Sequence, residues 1–128
     1  KLVLLVSAYP LLNKTIFSIL NIDLSFKVAL GIVDFADLDF IYSTARRINE
    51  LLIAFWAKAG IKLVDFKLEF GRDENGKIIL IDEISPDTSR FWDKDTNERF
   101  DKDRFRQDLG YIVAHYEVVL DRLKSINA

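Results

Sequence analysis

Residues 64–70, VDFKLEF, alternate strictly between apolar and charged side chains, and this pattern restricts the fold of the 128-residue chain more than any other feature. A period of two is typical of a β-strand with one buried side and one solvent-facing side. The connector that follows contains Asn75-Gly76, a strong hairpin signal, and residues 77–84 have the apolar pattern of a returning strand. The sequence therefore predicts an antiparallel β-hairpin over residues 62–84. Its buried side carries Val64, Phe66, Leu68 and Phe70, and its charged side carries Asp65, Lys67 and Glu69.

The returning strand ends in a pair of acids that begins at Asp82. A turn with two central residues places Glu69 opposite Asp82, a four-residue loop places Lys67 there instead, and an odd-length loop moves Asp82 away. Cross-strand neighbours stand about 5 Å apart, so two bare carboxylates at that distance repel each other. A divalent cation bound by both removes the repulsion, and Mg²⁺ typically takes one or two protein carboxylates together with substrate phosphates. This register predicts a metal-nucleotide site at Glu69 and Asp82, with Lys67 on the same face.

A plainer interpretation fits the same residues. They also suit the solvated face of an ordinary hairpin, in which Lys67 neutralises Glu69 and no ligand is bound. Composition alone does not choose between a metal site and a solvated face.

Two helices are predicted to cover the sheet. Residues 40–58 form the first, with Gly60 as its C-terminal stop, and residues 103–123 form the second, amphipathic one. Residues 2–9 are predicted to form a strand, whereas residues 14–30 fit a helix and a strand equally well. The fold class expected is α+β, with an antiparallel hairpin or sheet packed against helices. The apolar residues at helical spacing in the first helix are Ile41, Ala45, Ile48, Leu52 and Phe55.

Composition excludes several classes of function. Half of the residues are hydrophobic, which is enough for a sizeable core in a single domain. The near balance of 18 basic and 20 acidic side chains leaves no basic surface for nucleic acid. The absence of cysteine excludes disulfides, thiolate metal sites and a cysteine nucleophile, and it favours a reducing cytoplasm. The uncharged run over residues 2–13 is shorter than the roughly 20 residues that span a bilayer, so no membrane partner is expected, and a secretory leader is the less favoured alternative.

Two weaker signals compete for a function. The acid-rich segment 93–104 resembles a calcium-binding loop, but Glu98 stands where that loop requires glycine and Arg104 where it requires glutamate. His115, the single histidine, lies beside the apolar stripe of the second predicted helix, where a packing or surface role is expected. Neither signal outweighs the acidic hairpin.

Three segments together carry a resemblance to a known family. They are LVDFKLEFG, IDEISPDTSRFWD and DKDRFRQDLG, and they closely resemble the C-terminal half of SAICAR synthetase, the purine-biosynthesis ligase that joins aspartate to a carboxylated aminoimidazole ribonucleotide. The resemblance runs from about residue 29 to residue 123. It implies a C-terminal domain of that family over residues 29–128, preceded by an apolar segment, residues 1–28, that is atypical for the family.

The resemblance also implies a role for individual residues. Glu69 and Asp82 match the acids that hold Mg²⁺ at the phosphates of ATP, and Asp65 and Lys67 match residues that face the same nucleotide pocket. The loop that holds the ribonucleotide is matched by Ser85, Asp87 and Arg90, and basic residues that reach the substrate anions are matched by Lys102 and Arg106. The catalytic set that the resemblance implies is Lys67, Asp87 and Arg90.

The implied chemistry proceeds through an acyl phosphate. ATP would phosphorylate the carboxylate of carboxyaminoimidazole ribonucleotide (CAIR), and the amine of L-aspartate would then displace phosphate, so no side-chain nucleophile is required.

The chain departs from the family in its first part. Family members are nearly twice as long, and no glycine-rich phosphate cradle is recognisable among the isolated glycines of this sequence. Two hypotheses follow. The chain is a ligase or the metal- and substrate-binding part of one, or it is a binding or scaffold module that keeps the fold without turnover and forms a homo-oligomer through its apolar N-terminal segment.

Overall fold

The computed structural model describes residues 4–8, 31, 33–85, 88–100 and 112–126, and for residues 4–8 and 112–115 it describes the backbone only. The elements are β1 (Leu4–Ala8), α1 (Phe35–Lys58), β2 (Ile61–Arg72), β3 (Ile78–Leu80), β4 (Ser89–Asp93) and α2 (Ile112–Ile126). Several predictions lie outside the described residues: the ambiguous segment 14–30, the first part of the second helix, and the side chains of Asp87, Lys102, Arg106 and His115. Neither described helix is long and apolar enough to cross a membrane.

Helix α1 ends where the sequence predicts but begins five residues earlier, at Phe35. The reason is a capping box: Asp34 accepts a hydrogen bond from the Asp37 amide at 2.8 Å, and the Asp37 carboxylate accepts one from the Asp34 amide at 3.1 Å. At the other end Gly60 has a φ of +66°, the left-handed conformation that favours glycine, which confirms its predicted role as a stop. The helix buries Leu38, Ile41, Ala45, Asn49 and Trp56.

One residue of the predicted apolar stripe is misplaced. Phe55 is 42% exposed, whereas its neighbour Trp56 is buried and packs on Phe91 of β4, with 4.4 Å between the ring centroids. The stripe therefore turns toward Trp56 in the last turns of α1.

Strand β2 is the centre of a four-stranded antiparallel sheet. Phe66 pairs with Ala8 of β1 and also with Ser89 of β4, so β1 and β4 lie along opposite edges of β2. Phe70 likewise pairs with Leu4 of β1 and Leu80 of β3. Strands β3 and β4 therefore follow one another along the same edge, and α1 packs against β2. The predicted α+β fold is confirmed.

The hairpin between β2 and β3 exists, but its predicted turn is wrong. Arg72 pairs with Ile78, and the Asp73 amide donates to the Lys77 carbonyl at 2.9 Å, which leaves the three residues 74–76 as the connection. The Asp73 carboxylate accepts from the amides of Asn75 and Lys77 at 2.9 and 2.8 Å. Gly76 supplies the left-handed residue with a φ of +79°. A side chain that binds the turn backbone thus selects an odd-length loop over the two-residue turn.

The alternation of buried and half-buried residues along β2 shifts by one residue at a single position. Ile61 and Leu63 are buried in the first half and Phe66, Leu68 and Phe70 in the second, and the pairing with β4 has an irregularity between Leu63 and Asp65. Val64, predicted among the buried set, is half-buried at this β-bulge. The extra residue at the bulge shifts the alternation, so that apolar residues in both halves of the strand point toward the core.

Helix α2 is fixed to the sheet by an ion pair as well as by apolar packing. Val119 is buried in the core, and Leu123 and Ile126 pack against it. Arg122 pairs with Asp93 at the end of β4 and donates to the Gly60 carbonyl at 3.0 Å. This clamp joins α2, β4 and the connection between α1 and β2.

Candidate functional site

The chain between β3 and β4 leaves the sheet edge and returns to it two residues further along β2. The Ile81 amide donates to the Glu69 carbonyl at 2.9 Å, and the Lys67 amide donates to the Thr88 carbonyl at 2.8 Å. The described residues 82–85 therefore lie between two backbone hydrogen bonds to β2. We call these residues the site loop.

The first residue of the site loop brings its carboxylate to the charged side of β2. The Lys67 ammonium lies 2.6 Å from Glu69 Oε1 and 3.4 Å from Asp82 Oδ2. The three side chains are partly buried, with exposures of 34% for Lys67, 26% for Glu69 and 17% for Asp82. The predicted meeting of these three residues is therefore found, and we call them the acidic cluster.

The route to this cluster differs from the predicted one. With the observed register, an undisturbed strand would place Leu68 opposite Asp82 and turn the carboxylate to the buried face. Strand β3 ends at Leu80, however, so the alternation of side chains between the two faces no longer applies at Asp82. The carboxylate reaches Lys67 because it belongs to the loop and no longer to the strand.

Electrostatics favour a charged lysine in this cluster. The hydrogen bond to Glu69 raises the pKa of the Lys67 ammonium; burial opposes that shift, and the negative charges of Glu69 and Asp82 add to it. One ammonium facing two ionised carboxylates leaves the cluster with a net negative charge. This pairing of Lys67 with Glu69 is also what the plainer interpretation of the hairpin expects.

Asp82 is only half satisfied among the described residues. Its Oδ1 accepts a hydrogen bond from the Glu83 amide at 3.0 Å, whereas its Oδ2 is buried and has no hydrogen bond. The Lys67 ammonium at 3.4 Å is a charge neighbour of Oδ2 without the geometry of a hydrogen bond. Because a buried carboxylate oxygen without a hydrogen bond is costly, this atom is a candidate ligand for a cation.

The donor set fits Mg²⁺ if the substrate completes the coordination. Carboxylate oxygens are the hard ligands that Mg²⁺ prefers, and Glu69 and Asp82 supply two of them. No group of three or more metal-ligating side chains occurs in the described part of the chain. Two protein carboxylates with phosphate oxygens and water are a typical Mg²⁺ environment, whereas a dedicated all-protein cage would need more.

A second charged pair lies beside the acidic cluster. Asp65 and Arg90 are cross-strand partners on β2 and β4. Arg90 Nε donates to Asp65 Oδ1 at 2.9 Å, and an Nη nitrogen contacts the other carboxylate oxygen, so the pair is bidentate. Asp65 therefore orients the Arg90 guanidinium, which is 41% exposed.

The far half of the site loop is organised by a residue that the sequence analysis did not single out. Thr88 Oγ1 accepts from the Ser85 amide at 3.0 Å and lies 3.1 Å from the Glu83 carbonyl oxygen. The Thr88 amide also donates to the Ser85 carbonyl at 3.0 Å, which closes the turn. The signal that could have revealed Thr88 is its position three residues after Ser85 in SPDT, since hydroxyl side chains commonly bond nearby backbone groups.

The structure thus brings together six of the predicted site residues along β2 and its neighbouring edge. They are Asp65, Lys67, Glu69, Asp82, Ser85 and Arg90. Strand β4 was not predicted: Arg90 was expected in a loop, but it lies in a short strand whose residues 89, 91 and 93 are buried.

Comparisons with known proteins agree on one family. The family model of SAICAR synthetase matches residues 20–123. A phosphoribosylaminoimidazole-succinocarboxamide synthase from Wolinella succinogenes is 61% identical over 87 residues, a match that covers 68% of this chain and 37% of that relative. The chain therefore spans well under half the length of such curated relatives.

Two solved structures share the fold. The SAICAR synthetase from Pyrococcus horikoshii OT3 gives a TM-score of 0.80 at 35% identity, over 96% of this chain and 64% of that one. A SAICAR synthetase in complex with ADP gives a TM-score of 0.77 at 33% identity, over 96% of this chain and 63% of that one.

Proposed function

Because the chain belongs to the SAICAR synthetase family, we propose that it supplies the metal- and substrate-binding wall of an ATP-dependent ligase of purine biosynthesis. The proposed reaction joins L-aspartate to CAIR and yields SAICAR, ADP and phosphate. The proposed partners are these small molecules, with ATP and Mg²⁺ as cofactors and the cytoplasm as compartment. The relative solved with ADP supports the nucleotide part of this proposal.

The observation that carries the proposal is the acidic cluster. Two carboxylates from different segments converge on one ammonium, and a buried oxygen of Asp82 has no hydrogen bond. A purely structural ion pair would be expected to satisfy both carboxylates. A carboxylate oxygen without a hydrogen bond at the start of a loop suits a ligand that binds during function.

The proposed reaction has two steps that balance without a side-chain nucleophile. A carboxylate oxygen of the ribonucleotide attacks the γ-phosphorus of ATP, ADP leaves, and an acyl phosphate forms. The aspartate amine then attacks the acyl carbon, phosphate leaves, and the proton of the amine passes to solvent. Bound Mg²⁺ supplies charge neutralisation at the phosphates.

Each site residue has a proposed task. Glu69 and Asp82 would hold Mg²⁺, Lys67 and Asp65 would face the nucleotide, and the bidentate contact from Asp65 would keep Arg90 oriented toward the transferring groups. The ribonucleotide would be held by Ser85, Asp87 and Arg90, and the substrate anions by Lys102 and Arg106. Lys67, Asp87 and Arg90 are the proposed catalytic residues.

Metal binding by matched variants tests this function. We expect Asp82→Asn and Glu69→Gln each to weaken binding of Mn²⁺·ADP about tenfold, because each removes one of two anionic ligands. Electron paramagnetic resonance of free Mn²⁺ reports the binding directly. Asp121→Asn and Glu50→Gln are the controls: each makes the same chemical change at an exposed carboxylate paired with a neighbour on its own helix.

Two results would contradict the assignment. One is an affinity for Mn²⁺·ADP that is equal in the wild-type chain and in Asp82→Asn. The other is an equal loss in the cluster variants and the helix controls, which would indicate a nonspecific charge effect.

A further inference from the structure

The Thr88 side chain is the hub of the far half of the site loop. Its Oγ1 accepts from the Ser85 amide at 3.0 Å and lies within donating distance of two carbonyl oxygens, those of Glu83 at 3.1 Å and Ser85 at 3.2 Å. A single hydroxyl proton is shared between these carbonyls, while the oxygen lone pair serves the amide. One small side chain thus satisfies the backbone at residues 83 and 85.

The near half of the loop has an additional anchor on β2 that does not involve Thr88. Asp82 follows directly after Ile81, whose amide is bonded to the Glu69 carbonyl on β2. Its own Oδ1 accepts from the Glu83 amide. The metal side of the loop is therefore held by β2, and the Ser85 side is held by Thr88.

Resting on the proposed function, we propose that Thr88 is a positioning residue for the ribonucleotide and not for the metal-nucleotide. It holds Ser85 in place for the ribonucleotide, and its carbonyl ties the end of the loop to Lys67 of β2. Loss of the hydroxyl leaves the Ser85 amide and one carbonyl without partners and makes the turn flexible. Binding of the ribonucleotide must then order the turn, which costs conformational entropy. Glu69 lies on β2 itself, and Asp82 keeps the backbone anchor of its neighbour Ile81 on that strand.

The test compares two ligands across matched variants of the full chain. Thr88→Val removes the hydroxyl and keeps the shape, Thr88→Ala removes it without a branched replacement, and Thr88→Ser keeps it. Thr96→Val is the control, because Thr96 Oγ1 accepts from the Glu98 amide in a separate turn after β4. Dissociation constants for CAIR and for Mg²⁺·ADP are measured by NMR titration, which reaches weak binding, and melting curves verify that each variant is folded.

A split between the ligands is the expected result. Thr88→Val and Thr88→Ala raise the dissociation constant for the ribonucleotide about tenfold and change that for Mg²⁺·ADP less than about twofold, whereas Thr88→Ser and Thr96→Val resemble the wild type. Amide hydrogen exchange at Ser85 accelerates in the first two variants, and exchange at Ile81 does not.

Three results overturn the inference. Unchanged ribonucleotide binding in both hydroxyl-free variants shows that Thr88 does not position that ligand. Equal losses for both ligands show a general structural role. A wild-type chain that binds Mg²⁺·ADP but no ribonucleotide also overturns the inference, because the inference assumes the proposed function. This failure is recognised in the wild type alone, before any variant is compared.

Discussion

Asp93 and Asp82 each lie beside a cationic side chain next to β2, and the surroundings of the two carboxylates differ. Asp93 accepts hydrogen bonds from the amides of Asp95 and Thr96 at 2.9 and 2.7 Å and pairs with Arg122 of α2. Asp82 keeps a buried oxygen without a hydrogen bond beside Lys67. The fold engages both carboxylate oxygens of Asp93 and leaves one oxygen of Asp82 without a hydrogen bond.

The difference separates stabilisation from ligand binding. A carboxylate with every lone pair engaged by its own chain fixes elements together and has nothing left for a ligand. A carboxylate held at the start of a loop, with one oxygen that has no hydrogen bond, is expected to contribute less to folding, and that oxygen can accept a ligand. This contrast makes predictions that range from a loss of catalysis to a small effect of pH.

The largest expected effect is a low rate of ligation, because the acidic cluster is only one wall of the proposed site. We expect these 128 residues alone to ligate aspartate to CAIR at least about a thousandfold more slowly than a full-length synthetase, because phosphoryl transfer needs charges arranged around the whole triphosphate in a pocket closed to water. The assay follows product absorbance with ATP, Mg²⁺, aspartate and ribonucleotide, beside an Asp82→Asn control. Product at a rate near that of the full-length enzyme, abolished in the control, would show that the chain builds a complete site.

An identical substitution at the two carboxylates should have unequal effects on folding. Asp93→Asn leaves Arg122 without its anionic partner and is expected to raise the unfolding equilibrium constant by one to two orders of magnitude, roughly. Asp82→Asn removes a carboxylate whose Oδ2 has no hydrogen bond and should change the same constant less than about threefold. Urea denaturation followed by circular dichroism measures both. Equal destabilisation of the two variants would abolish the distinction between the clusters.

The smallest effect is a dependence of stability on pH. The backbone amide of Thr96, then Arg122 and the amide of Asp95, hold the pKa of Asp93 well below its ordinary value of 3.8. A lowered pKa stabilises the fold fully above the unfolded value of about 4 and progressively less below it. The difference in unfolding free energy between wild type and Asp93→Asn should therefore stay constant from about pH 7 to pH 5 and shrink toward pH 3.

The lysine of the acidic cluster should show the opposite sign. The raised pKa of Lys67 contributes stability that is fully present below the ordinary lysine value of 10.5 and is lost as the pH rises above it. Denaturation of Lys67→Met and of the wild type at about pH 8 and pH 11 measures this loss, as a smaller difference in unfolding free energy at the higher pH. A wild-type advantage that grows with pH would contradict the assigned ion pairs, as would an Asp93 effect that grows in acid.

The sequence predicted much of the sheet and of the first helix because those signals are local. The alternation at 66–70, the hairpin around Asn75-Gly76 and the stop at Gly60 all follow from the backbone preferences of a few adjacent residues. Strand β4 was missed because five residues rich in aromatic side chains carry little periodic signal and depend on pairing with β2. The role of Thr88 was missed because its hydrogen bonds become visible only when the turn is formed.

The sequence by itself determined that acids and a lysine occupy the charged side of the central strand, since a period of two is imposed by the β backbone at every residue. Only the tertiary structure decided which of them meet. The odd-length turn sets a register that would have turned Asp82 toward the buried face, and the end of β3 at Leu80 reverses that outcome. Register and strand length depend on contacts between distant segments, such as the bonds from Ile81 and Thr88 to β2, and local pattern does not specify them.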